Sequence, residues 1–364
     1  MTGSAHHSPL EARHRGLGAK LVDFAGWDMP IDYGSVLDEH RRCREDVVVF
    51  DVSHLGTVSV NGPGAFEALQ WLLTNDLRRI GVGRAQYTHA LDPDDAHVVD
   101  DVIVWWLGDE DFFVLPNAAN MAPFLAALGE AADRVPGACV FEDLTADRAL
   151  LAVQGPRSGE VVSAVLGDVG LPGHFGVART SWDGADVVVA GTGYTGEDGV
   201  EIHVPAANAG ALWDALLAEG ASPAGLGARD TLRLEMGYPL HGHELGEGIT
   251  PLQARLGWVV GWDKVDFRGR EALARERESG PARLLFGLSL DGRRFPREGY
   301  TVLADRDPDE VLGAVTSGNF SPTTGHGIAL ALLRSDVEVG DGVAVDIRGR
   351  ATPATVVDPP FIER

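Results

Sequence analysis

Four stretches of the sequence carry residue types at spacings that chemistry could use. The first is Val98-Val99-Asp100-Asp101-Val102-Ile103-Val104-Trp105-Trp106, two adjacent carboxylates inside an apolar run. It reads as a strand buried on both faces. Alternation places Asp101 with Val99, Ile103 and Trp105, while Asp100 faces the other way. An unpaired carboxylate buried there costs several kcal/mol or has its pKa forced up, so Asp101 is a candidate for acid–base or charge-stabilising work. The competing reading is structural, with one Asp capping a turn and the other paired to an arginine.

The second stretch, Gly191-Thr192-Gly193-Tyr194-Thr195-Gly196, matches the G-x-G-x-x-G dinucleotide pattern and follows a strand-like run. Phosphate binding there needs a helix directly after the glycines. Instead Val200, Ile202 and Val204 alternate with Glu201 and His203, which is strand periodicity. The motif is a turn between strands. Tyr194 and Glu201 remain, as a ring and an acid able to meet a heteroaromatic ligand or as ordinary surface.

In the third stretch, Gly225–Glu235, a helix opens from a glycine-rich turn and sets Arg229 and Arg233 four apart on one face. Such a pair suits bidentate capture of a carboxylate, or else local pairing with Asp230 and Glu235. The fourth, His241-Gly242-His243-Glu244, lacks H-E-x-x-H spacing and a nearby third ligand, so no metal is expected. The sequence has no Walker phosphate loop, no G-x-S-x-G elbow and no Cys/His nucleophile pair. Covalent catalysis by a side chain is therefore unsupported.

The elements that must position these residues read as α+β. Helical periodicity is clearest over Gly64–Leu73, Met121–Ala132, Ala207–Ala218 and Gly227–Met236. Between them lie β-rich runs at Thr57–Val60, Val98–Trp106, Val187–Ala190 and Val200–Val204, a mixed antiparallel pattern rather than regular βαβ. Glu271–Glu278 reads as a charged helix that stops at Ser279-Gly280-Pro281. Beyond it, Leu284–Leu290, Val302–Ala304, Val311–Thr316, Ile328–Leu332 and Val343–Ile347 are short strands with Gly and Asp turns, as in a small barrel or sandwich.

The 364 residues hold 30 basic and 54 acidic side chains, a net charge of −24, which repels phosphate backbones and anionic lipid. Neither nucleic acid nor a membrane is an expected partner. Two cysteines, Cys43 and Cys139, cannot frame a disulfide scaffold. Met1–Pro9 has no apolar signal region, and the apolar stretch near Val102–Leu107 is far short of the ~20 residues that span a bilayer. A cytoplasmic location is expected.

Taken together, the segments resemble the T-protein of the glycine cleavage system, the folate-dependent aminomethyltransferase. The matches run in order along nearly the whole chain: Val22–Trp27, Phe50–Gly56, Leu73–Asp76, Asp100-Asp101, Asn117–Asn120, Val153–Pro156, Gly193–Glu197, Gly225–Asp230 and Thr316–Thr323. The resemblance implies a three-domain cloverleaf of antiparallel sheets with helices, ending in a C-terminal β-barrel. Its domains would be 1–50 plus 141–275 (folate-binding, discontinuous), 51–140, and 283–364. It implies that Asp101 is the catalytic acid and that Glu201 holds the pterin edge. Arg229 and Tyr238 would line the ligand site, with Tyr87, Leu55, Asn117 and Tyr194 lining the same cavity.

The implied reaction moves a one-carbon unit from an aminomethyl group on the dihydrolipoyl arm of the H-protein to tetrahydrofolate, the acceptor substrate. Ammonia and 5,10-methylenetetrahydrofolate are the products, and the partner is the lipoylated H-protein carrier within the glycine cleavage complex. One alternative is a stand-alone folate-dependent demethylase of another methyl donor. Another is a non-catalytic folate-binding factor of iron–sulfur maturation, which the cysteine-free Ile249–Arg255 disfavours. Departures from the family are Ala96-His97 in place of Gly-Gly, Gly191 in place of Arg, Leu55 in place of Met, and Gly242-His243 in place of Gly-Gln.

Overall fold

The computed structural model describes residues 6–167 and 170–363. They fall into two compact units, one holding the chain up to Thr88 and Asp101–Arg229, the other His89–Asp100 and the chain from Asp230 onward. The architecture is α+β, with antiparallel pairing dominant.

In the first unit a six-stranded sheet runs in the order Val177–Trp182, Ala185–Ala190, Gly199–Pro205, Arg148–Gln154, Val48–Asp51, Ser222–Ala224. Its core face is built from Val47, Val49, Leu151, Val153, Val189, Ile202 and Val204. Leu212, Trp213 and Leu216 of the helix Ala206–Ala218 join this core, with Val161 and Val162 of the helix Ser158–Leu166. Alternation decides what the other face carries. In register, Leu151, Ile202 and Val189 are side by side on the core face. One residue along, Ala152, Glu201 and Ala190 are side by side on the opposite face. Two alanines flanking Glu201 leave space above the acid that larger neighbours would fill.

A five-stranded sheet follows the order Arg84–Leu91, Val98–Gly108, Asp111–Leu115, Val58–Asn61, Val140–Asp143. Its second strand, Val98–Gly108, differs from the expectation of burial on both faces. Val98, Asp100, Val102 and Val104 are buried, whereas Val99, Asp101 and Ile103 are half-buried. That half-open face is the one bearing Asp101. The turn before it holds Ala96 at a positive φ of 63°, a left-handed conformation that costs a residue with a Cβ roughly 1 kcal/mol.

In the second unit six strands close into a barrel: Arg283–Leu290, Gly327–Arg334, Asp307–Phe320, Thr301–Ala304, Gly342–Asp346 and Ala351–Val357. Phe286, Leu288, Leu290, Val315, Ala331, Leu333 and Val345 fill its interior, and closure removes the exposed edges an open sheet would present. The expected strand Val311–Thr316 extends at both ends, because Asp307–Ala314 pairs with one neighbour and Gly313–Phe320 with another, across a bulge at Val315–Ser317.

Candidate active site

Asp101 is the centre of a polar cluster in the first unit. Its Oδ2 accepts from the Tyr87 hydroxyl at 2.9 Å, and its Oδ1 accepts from Asn117 Nδ2 at 2.9 Å. The same Asn117 amide reaches the Asp101 backbone carbonyl at 3.0 Å. Asn117 stands where a helix cap would, before Ala118–Asn120, yet its side chain caps nothing there and is turned to Asp101 instead. Tyr87, Asp101 and Asn117 are all half-buried, so two neutral donors fix the carboxylate without closing it off.

A second cluster forms around Glu201. The acid is 4% exposed, not the surface residue that one reading of the sequence allowed. Thr192 donates its hydroxyl to Glu201 Oε2 at 2.5 Å. Arg229 lays its guanidinium over the Tyr194 ring, 4.8 Å from the centroid. Burial holds Arg229 below the usual arginine value, partly offset by the nearby Glu201 and Tyr194. Its Nη1 is enclosed with no hydrogen-bond partner among the described residues, a costly state for a charged donor. The turn between Ala190 and Gly199 contains no helix, as expected. Gly191 has no room for a side chain: a Cβ there would lie 2.2 Å from the Gly173 carbonyl oxygen.

The two clusters lie on sheet faces that meet. Trp105 shares a strand face with Asp101, and His203 shares one with Glu201. The Trp105 and His203 rings are 6.2 Å apart, and Phe113 lies 5.0 Å from His203. The segment Asp51–Gly56 joins the clusters from the side. Gly56 N–H donates to the Pro116 carbonyl at 2.8 Å, which brings Leu55 next to Asn117. His54 is buried against Phe24 and close enough to Arg229 for that charge to act on it. Burial first, then Arg229, lowers the His54 pKa to about 4, so the imidazole is neutral.

The sequence singled out no role for His54 or Thr192, because a buried neutral imidazole and a hydroxyl leave no pattern in the chain. Under His54, Asp51 is fully buried and bonded to His14 Nε2 (2.8 Å), Ser53 Oγ (2.6 Å) and Ser8 Oγ. Burial pushes this carboxyl up, but the hydrogen bond and charge of His14 and the two hydroxyls outweigh it and hold the carboxyl below its ordinary value.

The other candidates resolve differently. Tyr238 belongs to the second unit, in the turn after the helix Leu226–Glu235, with its N–H on the Arg233 carbonyl and its own carbonyl accepting from Arg233 Nη1. Arg233 does not share a ligand with Arg229. It is buried among Asp230, Glu244 and Ser317. Asp230 is among its partners, while Glu235 accepts from Ser321 and Thr323. His241 Nε2 and His243 Nδ1 each meet a backbone carbonyl, of Val98 and Thr316, so that motif is structural.

Two mainly antiparallel sheets thus bring faces together that carry Asp101, held by Tyr87 and Asn117, and Glu201, held by Thr192. The GCVT N-terminal domain family matches residues 10–264, and the glycine cleavage T-protein C-terminal barrel domain family matches 283–363. An aminomethyltransferase of Mycobacterium avium (strain 104) is 50% identical over 365 residues, covering 98% of this chain and 96% of that one. One of Parafrankia sp. is 50% identical over 370 residues, covering 99% and 98%. The solved glycine cleavage system aminomethyltransferase T of Bartonella henselae superposes with a TM-score of 0.90 at 34% identity, covering 99% of this chain and 98% of that one. The chain belongs to the glycine cleavage T-protein family. Its activity is that of an aminomethyltransferase.

Proposed function

We infer that the one-carbon acceptor is tetrahydrofolate and that the donor is the aminomethyl group on the dihydrolipoyl arm of the H-protein, met in the cytoplasm within the glycine cleavage complex. Ammonia and 5,10-methylenetetrahydrofolate leave. The observation that carries this reading is the pair of meeting sheet faces, one bearing Asp101 held by Tyr87 and Asn117, the other bearing Glu201 held by Thr192.

In this reading Glu201 grips the pterin edge. A carboxylate accepts two hydrogen bonds side by side, and a pterin offers adjacent amino and ring N–H donors. Thr192 holds one of the Glu201 oxygens and so sets the plane of the carboxylate. Arg229, stacked on Tyr194, supplies a positive charge for the anionic end of the folate. Leu55 lines the same ligand.

Asp101 acts as the catalytic residue. Its carboxylate orients the folate nitrogens and stabilises the positive charge that develops on the transferred carbon as the amine departs. Tyr87 and Asn117 keep both of its oxygens in place while this happens. Holding two reactants in register can supply ~7–11 kcal/mol of the barrier, and one well-placed acid–base group adds roughly 10²–10⁴-fold. No covalent bond to the protein is required, in keeping with the lack of a side-chain nucleophile.

The test mixes the purified protein with tetrahydrofolate and an aminomethyl-loaded lipoyl carrier, and follows ammonia and methylenetetrahydrofolate. Release of both, dependent on folate, is the expected result. Tight folate binding without either product would return the reading to a demethylase of another donor or to a folate-binding factor.

A further inference from the structure

The glycine-rich turn at 191–198 is moulded around one side chain. Gln154 ends the strand Arg148–Gln154, is fully enclosed, and stands opposite Gly199 in the ladder. Its Nε2 donates to the carbonyl oxygens of Thr192 and Val153, both at 3.2 Å, and its Oε1 accepts from Thr195 Oγ1 at 2.8 Å. The carboxamide fills the space that side chains would need at two glycines. A Cβ at Gly193 would lie 2.0 Å from Gln154 Oε1, and one at Gly199 would lie 2.3 Å from Nε2. Nothing larger than hydrogen fits there while Gln154 stays in place. Of the three glycines that mimic a dinucleotide fingerprint, Gly193 is thus explained by a buried amide, while Gly191 abuts the Gly173 carbonyl and Gly196 takes a positive φ of 78°.

The turn is held from its other side as well. Arg44 Nη1 donates to the Thr195 carbonyl at 2.6 Å and pairs with Glu197 Oε1 at 2.8 Å, both side chains being almost fully buried. Tyr194 therefore lies between Thr192 and Thr195, each tied to Gln154. Thr192 spends its carbonyl on Gln154 and its hydroxyl on Glu201. One amide is a single residue removed from the acid and from the ring that form the second cluster.

We propose that Gln154 is a positioning residue that sets Glu201, through Thr192, and Tyr194, through Thr192 and Thr195, for ligand capture without touching the ligand. Its consequence for folate rests on the function proposed above; its consequence for the turn does not. The test uses the full chain with Gln154→Met, close in volume but unable to donate, and Thr195→Val, which removes one bond and keeps the shape.

In ligand-free protein, the amides of 191–198 should exchange at least about tenfold faster in Gln154→Met, with 200–204 little changed, as expected for losing the two buried hydrogen bonds that tie the turn to Gln154. The tetrahydrofolate KM should rise about tenfold, with kcat within about threefold of the parent. Thr195→Val should move both readouts the same way by less. In a Tyr194→Ala background the KM effect of Gln154→Met should shrink, because only the path through Thr192 to Glu201 is left.

Unchanged exchange in 191–198 would overturn the proposal. So would a KM effect that multiplies in full with Tyr194→Ala. If Gln154→Met does not fold, Thr195→Val carries the same two readouts. If the parent protein binds no folate, the proposed function fails and the exchange measurement still decides the role of Gln154.

Discussion

Arg229 and Arg233 stand four residues apart on one helix and have opposite surroundings. Arg233 is 2% exposed, with Nε and Nη2 on Asp230, Nη1 on Glu244 and the Tyr238 carbonyl, and Nη2 also on Ser317. Arg229 lies on the Tyr194 ring with an enclosed Nη1 that no described residue satisfies. A charge whose bonds are all made by the chain holds the fold. A charge left with an open donor lowers stability unless something outside the chain completes it. The contrast sets a region whose buried donors are completed by the chain against one that leaves a buried donor unsatisfied.

The largest effect should come from the ligand-facing region. Asp101→Asn keeps the shape but removes the charge, and turnover should fall roughly 10²–10⁴-fold, while the melting temperature and tetrahydrofolate affinity stay near the parent values. Rapid-quench single turnovers beside equilibrium binding would show it; unchanged turnover would remove Asp101 from the chemistry.

The closed region should respond in stability instead. Arg233→Met leaves Glu244 buried without its cation and should cost about 3–5 kcal/mol in urea unfolding. An equal loss from Arg229→Met would erase the contrast between the two arginines.

Acid should weaken the fold through buried imidazoles. Burial, aided by Arg229 at His54, His241 at His89 and Arg148 at His203, lowers their pKa values to about 4, 3 and 3. The unfolded chain binds protons at these histidines near pH 6.5 and the folded one does not. Their contribution to stability is therefore complete above pH 6.5 and declines as pH falls toward 3–4, by about 2 kcal/mol per histidine at pH 5. Melting temperatures at pH 7.5 and pH 5 should differ accordingly, and His203→Gln should narrow the gap. The smallest effect expected is that of Arg229→Lys, about a tenfold rise in the tetrahydrofolate KM with no loss of melting temperature, because an ammonium cannot reproduce the planar stack on Tyr194.

Legibility in the sequence followed apolar periodicity. The helices at 65–72, 121–134, 206–218 and 226–235 and the strands flanking the glycine-rich turn stand out because their buried faces are apolar. The helix Val36–Glu45 does not, because its buried positions are Glu39, His40 and Cys43. The Glu39 carboxylate is buried to accept the backbone N–H groups of Tyr33 and Gly225, and no periodicity scan counts an acid as core. In the site, Asp101 is visible as a charge in an apolar run and Glu201 as the polar beat of an alternating strand. Tyr87 and Asn117 come only from the family resemblance, since nothing near them in the chain says which carboxylate their donors reach. Gln154, within Val153–Pro156, shows no role in the sequence, because an uncharged amide acts only through what folds against it.

The sequence by itself determined the α+β class, the strand-rich C-terminal region, the failure of the dinucleotide reading, and the candidacy of Asp101 and Glu201. All of these depend on the order of apolar and polar residues within about ten positions. Only the tertiary structure decided that Arg233 is spent on the fold while Arg229 keeps an enclosed, unsatisfied donor, that the faces bearing Asp101 and Glu201 meet across Trp105 and His203, and that Gln154 fills the space beside Gly193 and Gly199. Burial and hydrogen-bond completion are set by residues tens of positions away in the chain, and local pattern carries no record of them.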